Sequence, residues 1–175
     1  MNKRFLVPII FLLIFSVACN NTPLTEQQKL EYEISKLEEK LHNEIEPDKE
    51  KAIAMIDKYL DYTEKYPDDS LSPEYLFKAA EIAMNFSQPH NAIRYLTQIE
   101  DNYLKYPKYP TAIFLKAFIY DTHIGDIEKS KAYYLKYLEK YPNHTFATDA
   151  KAAVMFMGLT DEQLIELFDD MNKYN

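Results

Sequence analysis

Two glycines, one cysteine and no tryptophan occur in the 175 residues of this chain. So few glycines cannot build the Gly-rich turn by which phosphate-binding folds bring their backbone close to a nucleotide. A lone cysteine excludes an internal disulfide framework and any Cys-based zinc site. No stretch alternates polar and apolar residues for long enough to make a sheet, and the apolar run Phe5 to Phe15 is too short to span a bilayer. What is present is a 47% hydrophobic chain whose charged residues are spread along its length. That is enough for one domain, or a small repeat array, with a real core. A formal net charge of -8 repels phosphate backbones, so nucleic acid is not an expected partner.

The first residues read as an address. Lys3 and Arg4 form a basic start, the apolar run follows, and Ser16-Val17-Ala18-Cys19 places small residues directly before the only cysteine. This resembles a bacterial lipobox, with Ser16 where that family usually has Leu. The resemblance implies a lipoprotein signal peptide over residues 1–18, a lipidated Cys19 as the mature N-terminus, and a linker over 19–25. Asn20 stands where lipoproteins kept in the inner membrane often carry Asp, which favours the outer membrane, and the lack of an acidic run after Cys19 favours its periplasmic face. Loss of Lys3 and Arg4 takes the remaining chain to a net charge of about -10. Asn20 to Thr25 reaches roughly 20 Å at most, so the domain stays near the lipid.

Beyond the linker the informative feature is self-similarity. Tyr66-Pro67, Tyr106-Pro107 and Tyr141-Pro142 each follow an amphipathic segment, 40 and then 35 residues apart. Upstream of each lies a small residue with apolar residues four and seven positions on: Ala52 with Ile56 and Tyr59, Ala92 with Leu96 and Ile99, Ser130 with Tyr134 and Tyr137. That spacing puts all three on one helix face, and the small residue admits a neighbouring helix. Periods of this size indicate stacked helical pairs. On these residues the chain resembles the tetratricopeptide repeat, whose second helix carries a small residue, a large apolar residue four on, and a closing Pro. Leu76, Ala79, Ala80 and Ala83 supply the first-helix pattern of the middle unit. Phe114, Ala117 and Tyr120 lie near the same places in the next unit, but an overlay needs one extra residue before Gly125-Asp126. The first two units run three residues longer to their Pro than the third, which predicts longer second helices.

The expected fold is an all-α, right-handed tetratricopeptide-like solenoid of three to four helix pairs over residues 26–175. The punctuation predicts helices at about 26–45, 49–65, 73–86, 90–105, 110–124, 126–140, 145–157 and 161–172. Thr25 with Gln28 and Thr160 with Gln163 have capping-box spacing. Ser72-Pro73-Glu74 reads as cap, Pro at the first helical position, and an acid suited to the dipole. The last helix, with Leu164, Leu167, Phe168 and Met171 inward and Asp161, Glu162, Asp169 and Asp170 outward, would close the stack. Leu30, Ile34, Leu37 and Leu41 fit either a dimerising seam or a face packed on Ile53, Ile56 and Leu60.

No constellation for catalysis stands out, so no enzyme activity, catalytic residue, metal or cofactor is expected. His42 alone has helix-face carboxylates, Glu38 and Glu46, at four-residue spacing, and these read as a solvated acidic surface. Asp68-Asp69 and Asp169-Asp170 are adjacent pairs and do not face each other across a cleft. Asp69-Ser70-Leu71 is similar to the acceptor triplet of a periplasmic O-glycosylation system, which implies Ser70 as acceptor; the same residues also suit a local turn. The fifteen Tyr fall mostly in second helices and suit helix seams, with Tyr75, Tyr109 and Tyr120 as a second reading, an aromatic platform for a peptide or sugar.

In tetratricopeptide solenoids the first helices line a concave partner-binding surface. Carried onto this chain, that implies a groove of Glu74, Lys78, Glu81, Asn85, Lys116 and Asp121, suited to basic or polar partners. The Lys and Asn four apart that clamp a C-terminal carboxylate in some repeats are absent: Lys36 precedes Lys40, Lys78 precedes Ile82, Lys116 precedes Tyr120 and Lys151 precedes Met155. The resemblance extends to the tetratricopeptide lipoproteins of outer-membrane β-barrel assembly, and implies a lipid-anchored scaffold with envelope proteins as partners. Coordination of cell-wall synthesis or division, and glycan or nutrient binding, are the alternatives.

Overall fold

The structure is a computed structural model and describes residues 23–42, 48–160 and 162–166. The signal peptide, Cys19 and most of the linker lie outside these residues, as do Glu46, the His42 side chain, Asp161, Leu167, Phe168 and Asp169 to Met171. Seven α-helices follow in order, α1 Glu26–His42, α2 Lys49–Lys65, α3 Ser72–Asn85, α4 Pro89–Asn102, α5 Tyr109–Ile119, α6 Ile127–Lys140 and α7 Ala147–Phe156, with a π-helical turn at Tyr120–Ile124, and the described residues 162–166 are helical as well. Each helix packs on the next along the chain, so α3 lies between α2 and α4 and α5 lies between α4 and α6. This is a tetratricopeptide-like helical solenoid without strands in the described residues.

The seams are where the spacing puts them. Ala52, Ile56 and Tyr59, then Ala92, Leu96 and Ile99, then Ser130, Tyr134 and Tyr137, are all buried. Ala79, Ala80 and Ala83 have no exposed surface, because α3 must fit between two neighbours and larger side chains would hold them apart. Leu30 and Ile34 are buried within the chain, with Leu37 and Leu41 packed against the same core, which favours the packed face over the dimerising seam. Ile53 is a correction: it is 40% exposed, while Met55 takes the core position near it.

Both capping boxes form. Thr25 N–H donates to Gln28 Oε1 and Gln28 N–H returns to Thr25 Oγ1, and Thr160 and Gln163 repeat the exchange. Ser72 differs from expectation. It is the first residue of α3 rather than its cap, and its buried hydroxyl donates to the Tyr66 carbonyl at 2.6 Å. Ser72 thereby satisfies a carbonyl at the end of α2 instead of an amide at the start of α3.

The repeat is plainest where the second helices stop. Tyr66, Tyr103 and Tyr141 cap α2, α4 and α6 with nearly one backbone conformation, φ/ψ of -130/58, -129/52 and -134/53. Each is followed by the same ladder of i to i−3 bonds: Asp69, Tyr106 and His144 back to the cap, then Ser72, Tyr109 and Ala147 back to those. The structural equivalent of Tyr66-Pro67 is therefore Tyr103-Leu104 and not Tyr106-Pro107, and the caps lie 37 and 38 residues apart. Accordingly α2 is longer, at 17 residues, but α4 matches α6 at 14. A residue before Pro is steered out of the helical region; Tyr103 reaches the same conformation without one, its hydroxyl donating to the Pro67 carbonyl at 2.8 Å.

The turns inside the hairpins also correspond. After α3, Ser87 takes φ 56 and Gln88 N–H bonds the Ala83 carbonyl, a Schellman closure with serine in the position usually held by glycine. After α5, Gly125 takes φ 76 in the same role. Here the helix widens first into the π turn, and Asp126 N–H reaches back to the Tyr120 carbonyl. The extra residue that the overlay of this unit requires is absorbed there.

Candidate functional site

Glu74, Lys78, Glu81 and Asn85 follow one another at four, three and four residues, which makes a single stripe along α3. The structure keeps them together and ties one end down. Glu74 accepts the Tyr106 hydroxyl at 2.6 Å and the Lys108 ammonium at 2.8 Å, and Lys108 stands 5.0 Å over the Phe77 ring. Burial by itself would raise the Glu74 pKa, but these donors hold its carboxyl below the usual range. Lys78 crosses to Glu38 of α1 at 2.8 Å, and the same Glu38 oxygen accepts the Tyr59 hydroxyl at 2.7 Å. Burial and that carboxylate push the Tyr59 pKa well above its ordinary value.

Past these pairs the stripe opens into a shallow groove of about 530 Å³, where Lys78, Glu81 and Asn85 meet Ile82, Met84 and Leu115. Glu81 is exposed, and no described residue hydrogen-bonds or pairs with it. Its carboxyl is nonetheless pushed up by the protein crowded around it and by Glu74, against the opposing pull of Lys108 and Lys78. A carboxylate in this position is short of a cation that a partner can supply.

Two expected members of the groove lie elsewhere. Lys116 is only 2% exposed and points toward α4 and α6, its ammonium 2.6 Å from Glu100 Oε2 and 4.5 Å above the Tyr133 ring. Lys136 pairs with the other Glu100 oxygen. The cause is the composition of α5, which is apolar almost all round, so its one lysine is drawn inward and survives only as part of a compensated cluster. Burial would raise the Glu100 pKa; the two lysines hold it low instead. Asp121 sits half-buried in the π turn, and with burial and Asp149 it raises the Tyr134 hydroxyl to about 12.

The aromatic-platform residues are also corrected. Tyr75 and Tyr109 are each 6% exposed, Tyr75 stacking on Tyr59 with centroids 5.0 Å apart, and Tyr120 stacks on Tyr133 at 5.6 Å. Ser70 is exposed in the connection from α2 to α3, where Asp69 Oδ1 accepts the Leu71 N–H at 2.8 Å and forms the local turn.

A second, larger groove of about 1270 Å³ runs between α2 and α4 on the second-helix side, with Glu64, Asp68, Tyr95, Asp101 and Leu104 among its lining. Sequence reasoning missed it because the Tyr-Pro pairs suggested the wrong equivalence for Tyr103, and so hid that two like connections face each other.

Residues 111–144, from the first turn of α5 into the connection after α6, match the tetratricopeptide repeat family model. No curated protein matches the chain. The matched unit stacks with neighbours that carry the same caps in a tetratricopeptide-like solenoid, and tetratricopeptide repeats mediate protein–protein interactions, which supports a protein partner.

Proposed function

We propose that the chain is a lipid-anchored scaffold of the cell envelope, held at the periplasmic face of the outer membrane through Cys19, that docks envelope proteins on the exposed stripe of α3. Assembly of outer-membrane proteins is the process that this combination of anchor and repeats suits best. The observation that carries the interaction half is Glu81 beside Lys78 and Asn85, an open groove whose carboxylate has no partner among the described residues. The anchor half rests on Ser16 to Cys19.

Gln27 in the first turn of α1 donates to Tyr62 Oη and to Asp69 at 2.9 Å each, so α1 begins beside the α2–α3 connection. The expected result of Cys19→Ala is release from the membrane fraction with loss of fatty-acid labelling; retention of both overturns the anchor. For the groove, Glu81→Lys with Asn85→Lys is expected to leave the thermal melt almost unchanged, since exposed charges contribute little to stability, while a crosslinked native partner is lost. Undiminished crosslinking to this double variant overturns the α3 assignment.

A further inference from the structure

The groove between α2 and α4 differs in build from the α3 stripe. Leu76 and Tyr95 lie beneath it almost fully buried, 1% and 3% exposed, and the apolar surface it offers is Leu104, 68% exposed, with the exposed Pro67 and Pro107. Its rim carries Glu64, Asp68 and Asp101, all exposed, and among the described residues none of the three is hydrogen-bonded or ion-paired through its side chain. Elsewhere on the same helices carboxylates are paired, Asp61 with Lys65 and Glu100 with Lys116. The cations of the lining do not offset the difference: Arg94, 4.9 Å over the Tyr95 ring, and Lys105 stand against Glu64, Asp68, Asp69 and Asp101. The two walls are joined by the Tyr103 hydroxyl on the Pro67 carbonyl at 2.8 Å, which ties the two connections to each other.

We infer that this groove docks an extended polypeptide segment in which Lys or Arg alternates with apolar residues. Successive side chains of an extended strand point to opposite sides. Apolar ones then cover Leu104, Pro67 and Pro107, while basic ones meet the rim. The unpaired acids supply orientation and a fast encounter, and Leu104 with the two prolines supplies the apolar contact area. This adds a second surface, and a class of partner, to the scaffold reading on which it rests.

The test is fluorescence anisotropy with the full-length chain in detergent and a labelled Lys-Leu-Lys-Leu-Lys-Leu-Lys peptide. The expected results are saturable binding that weakens as salt rises, a loss of roughly tenfold or more in Asp68→Lys/Asp101→Lys, a smaller loss in Leu104→Ser, and no change in Glu81→Lys/Asn85→Lys. Leu104→Ser replaces a side chain already in water, so it keeps the test readable if the double reversal disturbs the fold. Absence of binding, equal binding of a Glu-Leu peptide of the same length, or an affinity that both groove variants leave unchanged each overturns the inference. The α3 reading stands or falls separately, on Glu81 and Asn85.

Discussion

The α3–α4 hairpin and the α5–α6 hairpin occupy equivalent places in the stack and hold them by different chemistry. The first is closed by alanines: Ala79, Ala80, Ala83 and Ala92 are fully buried, and no charge enters the seam. The second is closed by aromatic rings and ions, with Phe114 edge-on to Tyr134 and Tyr137, and Lys116 enclosed between Glu100 and Tyr133. Close approach serves both, since Ala117 and Ser130 are also fully buried and bonded at 3.0 Å in the second, but only the second adds compensated charge, so the fold tolerates changes of chemistry that preserve volume and pairing more readily than single changes that break either.

The largest effect expected from breaking this comparison is at Glu100. Glu100→Gln leaves Lys116 buried without its counter-charge and should cost about 3–5 kcal/mol by denaturant melts, whereas Glu100→Leu with Lys116→Met should be close to neutral. An inexpensive single change would mean that the ion cluster contributes little to the α4–α5–α6 packing. In the alanine seam, Ala92→Leu overpacks and should cost about 1–3 kcal/mol, against little for Lys105→Leu on the surface. Equal costs would contradict the burial that separates the two sites.

The hairpin turns sharpen the comparison on a smaller scale. Ser87 holds a left-handed conformation that costs a side chain roughly 1 kcal/mol, so Ser87→Gly should stabilise by about that amount less glycine's entropy. Gly125→Ala should destabilise by a similar amount through φ alone, since an added Cβ meets nothing within 4 Å. The acid limb of stability provides a further check. Glu74 and Glu100 have folded pKa values below their ordinary 4.5, so their contribution is complete above that pH and is lost as pH falls through the folded values. Glu100→Gln should therefore flatten the loss of stability below pH 4.5 as well as lowering the plateau, and an unchanged acid limb would contradict the pairing. The smallest expected change is Glu81→Lys, within about 0.5 kcal/mol.

The same contrast accounts for what could be read from the sequence. The alanine seams and the small-residue spacing were legible, because helical periodicity is a local property and Ala52, Ala92 and Ser130 each mark a close approach. The capping boxes were legible for the same reason. Tyr103 was not: its cap conformation is set by a hydroxyl reaching another connection, while the Tyr-Pro pair three residues on carries the stronger local signal. Lys116 was not legible either, since charge normally marks a solvent face and only the tertiary neighbours Glu100, Lys136 and Tyr133 reverse that rule. Of the candidate groove, the α3 stripe was legible as one helix face. The residues taken from α5 and its π turn were not, because their direction depends on packing and on the widened turn.

The central claim, that the open α3 face is where this scaffold meets its partner, is tested most directly by placing a photocrosslinking amino acid at Asn85 in the full-length chain in cells and comparing it with the same group at Lys131 on the exposed side of α6. The account predicts a discrete envelope-protein adduct from position 85 that disappears when Glu81→Lys is added, and none from position 131. An adduct from position 131 alone, or one from position 85 that Glu81→Lys leaves intact, would contradict it.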